Sequence, residues 1–102
     1  MLLLRARETA MARFRPILHA HGLTEQQWRA LRALHDLGGL TAAGLAKECA
    51  ILAPSMTRIL RKLSELGYVT TVRSSVDQRE LNVRISDAGQ RIVDEVGPKV
   101  EE

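Results

Sequence analysis

Apolar and polar positions repeat with a helical period along most of this chain, and two β-branched runs interrupt them only once, near the end. The segment from about Leu2 to Ala20 predicts a first helix, with Pro16 as the place where it kinks or breaks. In "HGLTEQQW" Thr24 is an N-cap, and Gln27 three residues later completes a capping-box pattern, so a second helix begins there. Trp28, Leu31, Leu34 and Leu37 recur along it, and Gly38-Gly39 stops it. Thr41 caps a short third helix carrying Leu45, Ala46 and Cys49. A turn at Ile51-Leu52-Ala53 follows, and Pro54 suits the first position of a fourth helix.

That fourth helix, "PSMTRILRKLSELG", carries the clearest two-sided pattern. At about 100° per residue, Met56, Ile59, Leu60, Leu63 and Leu66 form one apolar face. Ser55, Arg58, Arg61, Lys62 and Glu65 fall on the opposite face, with Thr57 at its edge, and Gly67 is a natural C′ residue. "YVTTVR" and "ELNVRIS" then read as two strands joined by Ser74 to Arg79. Ser86 or Asp87 caps a last helix from about Ala88 to Val96, ended by Gly97-Pro98. The expected fold is mainly α with a small β-hairpin. Two short helices joined by a tight turn, the second with a basic face, make a helix-turn-helix, and the hairpin after it makes the motif winged.

Composition narrows this further. At 102 residues the chain is one domain with a single modest core. Its apolar content, 45% of residues, is mostly Leu and Ala with only 3% aromatic, which favours helices over a sheet. No apolar run approaches the roughly 20 residues of a membrane span, and Met1 to Leu4 is too short for a signal-peptide core. Cys49 is the single cysteine, which excludes an internal disulfide framework and makes a cytoplasmic location the simple expectation. Paired carboxylates, a nucleophile–base constellation, a Gly-rich phosphate loop and metal-ligand spacing are all missing, so no catalysis, cofactor or metal is expected.

The net charge of +3 says less than its placement. Arg58, Arg61, Lys62, Arg73, Arg79 and Arg84 all lie in the stretch that ends with the hairpin. A helix fits the major groove of B-DNA, where side chains near its N-terminus reach base edges. Ser55, Thr57 and Arg58 hold those positions, with Arg58 suited to a guanine and Arg61 and Lys62 to phosphates. At the hairpin tip, Asp77 lies two residues from Arg79 and can orient its guanidinium for a narrow minor groove. Three other readings compete. The basic face is a solvated helix surface, the winged helix serves only protein interaction, or Cys49 is a redox sensor rather than a small buried thiol.

The segments "LTEQQWRALRAL", "LTAAGLAKECAILAPSMTRILRKLSELGYV" and "DQRELNVRISDAGQRIV" resemble the MarR family of winged-helix transcription regulators. The resemblance spans about Leu23 to Val93 and includes the wing pattern Asp-x-Arg followed by "ISDAG", close to the family's Leu-Thr-x-x-Gly. It implies a homodimer on a palindromic operator, with Ser55, Thr57, Arg58, Arg61 and Lys62 on the recognition helix and Asp77 and Arg79 as the wing-tip pair. It also implies a phenolic or aryl-carboxylate effector between the dimerisation helices and the DNA-binding domain. Such a ligand needs a cation for its carboxylate and an apolar wall for its ring, and Arg15, His19, Trp28 and Arg32 lie on the bordering segments. Within the family, "RFRPILHAHGLTEQQWR" and "ILAPSMT" are similar to repressors of homoprotocatechuate catabolism. The expected organisation is a dimerisation helix over 1–22, a winged helix-turn-helix over 23–86, and over 87–102 the start of a C-terminal dimerisation helix, which members of the family typically extend.

Overall fold

A computed structural model of the chain describes residues 15–73 and 80–101. Residues 15–20 form helix α1, and Pro16 lies within it. The rest of the expected first helix, and the hairpin tip with Asp77 and Arg79, lie outside the described residues.

Helix α2, Glu25–Leu37, starts where the capping box places it. The Gln27 N–H donates to the Thr24 hydroxyl at 3.2 Å, and the Thr24 N–H donates to Gln27 Oε1 at 2.9 Å. Trp28, Leu31 and Leu34 are buried, but Leu37 is 54% exposed. The reason is rotational. Each step of three residues falls about 60° short of a full turn, so three steps carry Leu37 to the face opposite Trp28.

Strand β1, Leu40–Thr41, is an element the sequence did not suggest. It exists only because Leu40 and Thr41 pair with Val83 and Asn82, so the expected two-stranded hairpin is a three-stranded antiparallel sheet. Helix α3, Ala42–Cys49, is capped by the Thr41 hydroxyl, which accepts from the Gly44 N–H at 2.9 Å. Ala50 ends it in the left-handed region with φ 54°.

Helix α4, Ala53–Glu65, begins one residue earlier than expected, so Pro54 is its second residue. Either position suits a proline, since the first-turn N–H groups have no intrahelical partner. Met56, Ile59, Leu60 and Leu63 are buried, and Leu66 packs half-buried beside them.

Strands β2, Val69–Arg73, and β3, Leu81–Ile85, pair from Val69 opposite Ile85 to Arg73 opposite Leu81. Helix α5, Asp87–Glu101, is capped by Ser86, whose hydroxyl accepts from the Gly89 N–H at 3.1 Å and donates to the Gly67 carbonyl at 2.6 Å. The helix passes through Gly97 and Pro98 instead of ending there. A proline inside a helix forfeits one backbone bond. Here the helix packs on α2 and β3, Val93 and Val96 are buried in the core, and Gly97 lies closely against the Arg32 guanidinium.

Leu31, Leu34, Leu45, Met56, Leu63, Val83, Val93 and Val96 meet in one core, which holds no polar or charged residue among those described. Every described charge is therefore presented at the surface. No described helix is long and apolar enough to cross a membrane.

Candidate nucleic-acid interface and effector concavity

Burial of the apolar stripe of α4 turns its other side outward. Arg58, Arg61 and Lys62 are exposed along it, and Lys62 Nζ reaches Glu65 Oε2 only at 4.0 Å. Thr57 is exposed, but its hydroxyl donates to the Ala53 carbonyl at 3.0 Å, which leaves its oxygen free to accept rather than donate. Ser55 sits half-buried on the flank of the helix, not on the outward face. Thr57, Arg61 and Ser64 of α4 and Thr71 of β2 border a concavity of about 180 Å³, which places Arg61 beside the wing strands.

The basic stretch divides across the sheet. Arg73 pairs with Leu81 and shares the face of Val69 and Val83, whereas Arg84 pairs with Thr70 and lies on the other face, over Gly39. Strand alternation carries that information, but only once the register is known. One feature went unforeseen: the N-terminus of α4 is apolar. Leu52 is 79% exposed there, Pro54 is exposed, and no side chain caps the helix. The lack of a Ser, Thr, Asp or Asn before Pro54 was the available signal.

The four effector candidates separate into two places. Arg15 and His19 border an open hollow on α1 with Pro16 and Ala20. Trp28 and Arg32 border a concavity of about 260 Å³ on α2, together with Arg29, Asp36, Glu48 and Cys49. Trp28 is both a buried core residue and part of that wall.

Charges in the second concavity are mutually arranged. Arg32 Nε lies 3.2 Å from Asp36 Oδ2, and His35 Nδ1 lies 3.2 Å from Asp36 Oδ1. His35 Nε2 also reaches Asp94 Oδ1 of α5 at 3.4 Å. The hydrogen bond with His35 is the main influence holding the Asp36 carboxyl below its ordinary value, against some desolvation, and Arg32 adds to it. Burial pushes the Cys49 thiol above its usual value, with Arg29 opposing. Arg29 has a role that no local pattern signals: its Nη2 donates to the Cys49 carbonyl at 2.6 Å, twenty residues away.

A tight turn between α3 and α4, a cationic outward face on α4 and a hairpin directly after it define a winged helix-turn-helix. The MarR family model matches residues 21–80, and the chain belongs to the MarR family. It is 40% identical over 100 residues to the HTH-type transcriptional regulator FarR of Neisseria gonorrhoeae, covering 98% of this chain and 68% of that protein. The homoprotocatechuate degradative operon repressor of Escherichia coli matches with the same identity and the same coverage of both chains. Among solved structures, NadR in complex with 4-hydroxyphenylacetate superposes with a TM-score of 0.84 at 39% identity, over 97% of this chain and 70% of that one. The family and these relatives are transcriptional regulators and not enzymes, and this chain is a MarR-type transcriptional regulator.

Proposed function

We propose that the protein is a repressor that binds a palindromic operator as a homodimer and is released by a small aromatic acid, controlling an aromatic-catabolism operon. The observation that carries the DNA part is the exposed row of Arg58, Arg61 and Lys62 on the face of α4 opposite its buried stripe. A helix so placed enters a major groove, with Arg58 toward a guanine edge and Arg61 and Lys62 toward phosphates. Ser55 contacts the phosphate backbone at the rim, and Thr57, whose hydroxyl proton is held by the Ala53 carbonyl, accepts from a base-edge amino group. Arg73 approaches the flanking backbone, and Asp77 orients Arg79 for the minor groove. Residues 1–22 and 87–102 serve the dimer, 23–86 the DNA, and the protein works in the cytoplasm.

The effector assignment draws on the relatives. One is a repressor of homoprotocatechuate degradation and another was solved with 4-hydroxyphenylacetate. Trp28 offers a ring wall and Arg32 a cation in one concavity, which suits such an acid better than the open hollow at Arg15 and His19. Those two residues belong to the site only if a second copy closes it.

Selection from a random duplex pool tests the proposal. A palindromic consensus is expected, bound as a dimer and released by homoprotocatechuate or 4-hydroxyphenylacetate at concentrations where benzoate does little. Recovery of no preferred sequence would count against an operator-binding repressor. Binding that neither acid disturbs would remove the effector assignment and leave the DNA reading in place.

A further inference from the structure

We infer that Arg29 is a positioning residue that couples an acid bound beside Trp28 to the DNA-reading helix, by exchanging the Cys49 carbonyl for the ligand's carboxylate. The inference rests on the proposed reading of α4 as the DNA contact and of the Trp28–Arg32 concavity as the effector site.

Cys49 is the last residue of α3, where carbonyls lack intrahelical partners and a cation is favourable. Arg29 reaches across from α2 to supply both, with Nη2 at 2.6 Å from the Cys49 oxygen. The Cys49 thiol lies 3.9 Å from the Arg29 carbonyl, so the two residues meet at both ends. Directly after this contact, Ala50 adopts the left-handed conformation that Cβ-bearing residues rarely take. The turn that fixes where α4 begins is thus held by Ala50 N–H to Lys47 O at 3.2 Å, Ile51 N–H to Ala46 O at 2.9 Å, and Arg29. Two of these bonds are local. Among the described residues, the Arg29 bond is the one of the three that reaches α2.

Arg29 also borders the concavity that contains Trp28, Arg32, Asp36 and Glu48. Asp36 is engaged by Arg32 and His35. The Glu48 carboxylate repels an acid group and accepts a phenolic hydroxyl, which orients a hydroxyphenyl acid with its carboxylate toward the two arginines. A carboxylate carries a full negative charge and takes two N–H groups of the guanidinium fork, where the carbonyl offers one neutral oxygen. Once Arg29 turns to the ligand, the Cys49 oxygen loses its partner and the left-handed turn loses its guanidinium bond to α2. The first turn of α4 then shifts relative to the groove without any rearrangement of the core.

The test uses the full chain and 4-hydroxyphenylacetate. Trp28 is the one tryptophan in the sequence, so its fluorescence reports occupancy of the concavity. DNA affinity for the duplex selected from a random pool is measured with and without saturating acid, for wild type, Arg29→Gln and Arg29→Lys. Wild type should lose affinity on the order of ten-fold with the acid. Arg29→Gln should still respond in Trp28 fluorescence through Arg32, bind DNA several-fold more weakly without acid, and change less than about two-fold on adding it. Arg29→Lys keeps the charge but not the fork and should fall between, which also provides the test if the Gln variant does not fold. Release of a folded variant by the same factor as wild type overturns the inference, even if its melting temperature drops. A wild type released by the acid with no change at Trp28 overturns both the inference and the choice of concavity. A wild type that binds no duplex overturns the DNA reading beneath them.

Discussion

Gly89 lies directly over the backbone carbonyl of Tyr68, so close that a Cβ at this position would overlap it and press on Ile85. This contact seats the first turn of α5 on the start of β2, and Ser86 holds it from the other side through Gly89 N–H and the Gly67 carbonyl. Backbone cannot give way as a flexible side chain can. Gly89→Ala should therefore destabilise the fold by about 1–3 kcal/mol. A urea midpoint unchanged from wild type would show that α5 does not sit this close.

Ala50 makes the opposite prediction. Its left-handed φ of 54° disfavours any residue with a Cβ, and glycine removes that disadvantage while adding freedom to the unfolded chain. Ala50→Gly should gain about 0.5–1 kcal/mol. Thermal melting measures it directly, and a lower melting temperature would contradict the turn geometry between α3 and α4.

At the start of α2, Thr24→Ala removes the acceptor of the Gln27 N–H and leaves the reciprocal bond from Gln27 unsupported. A loss of about 1 kcal/mol is expected from denaturant titration. Ser substituted at the same position should recover most of it, since the hydroxyl rather than the methyl does the capping.

Acid should weaken the α2 surface cluster. The Asp36 carboxyl is held below its ordinary value, chiefly by its bond with His35, so its folded-state pKa lies under the unfolded one. Its contribution is then fully present above about pH 4 and is lost as pH falls through the lowered native value. Asp36→Asn should flatten that acid limb of the stability curve, and added salt should do the same, because the pair is exposed. An acid limb unchanged by the substitution would show that Asp36 is not the group responsible.

Cys49 is buried and its thiol is held protonated above its usual range by that burial. Since the thiolate is the reactive form, Ellman's reagent should modify native protein many times more slowly than unfolded protein at pH 8. Rapid reaction of the native protein would revive a redox role for this residue.

What the sequence conveyed depended on how local each feature is. The Thr24–Gln27 capping box and the buried stripe Met56-Ile59-Leu60-Leu63 need only neighbours within a turn or two, and both stand as read. Repetition every three residues misled at Leu37, because an i+3 series winds around the helix instead of staying on one face. Gly97-Pro98 looked like a stop, but tertiary burial of Val93 and Val96 outweighs a local breaker. Strand β1 and the Arg29–Cys49 bond were invisible because each depends on a partner twenty or more residues away. The same limit applied to the effector candidates. Trp28 and Arg32 share a wall because they are one helical turn apart, whereas Arg15 and His19 border another hollow.

The most direct test of a DNA-reading α4 is the salt dependence of binding to the selected duplex, for wild type and Arg61→Ala. Each phosphate neutralised by a cation contributes about 0.9 to the slope of log affinity against log salt. Wild type should lose affinity steeply as salt rises, and Arg61→Ala should bind more weakly with a slope shallower by about one for each Arg61 engaged. Equal slopes for the two proteins, or affinity indifferent to salt, would mean that the outward face of α4 does not lie against DNA.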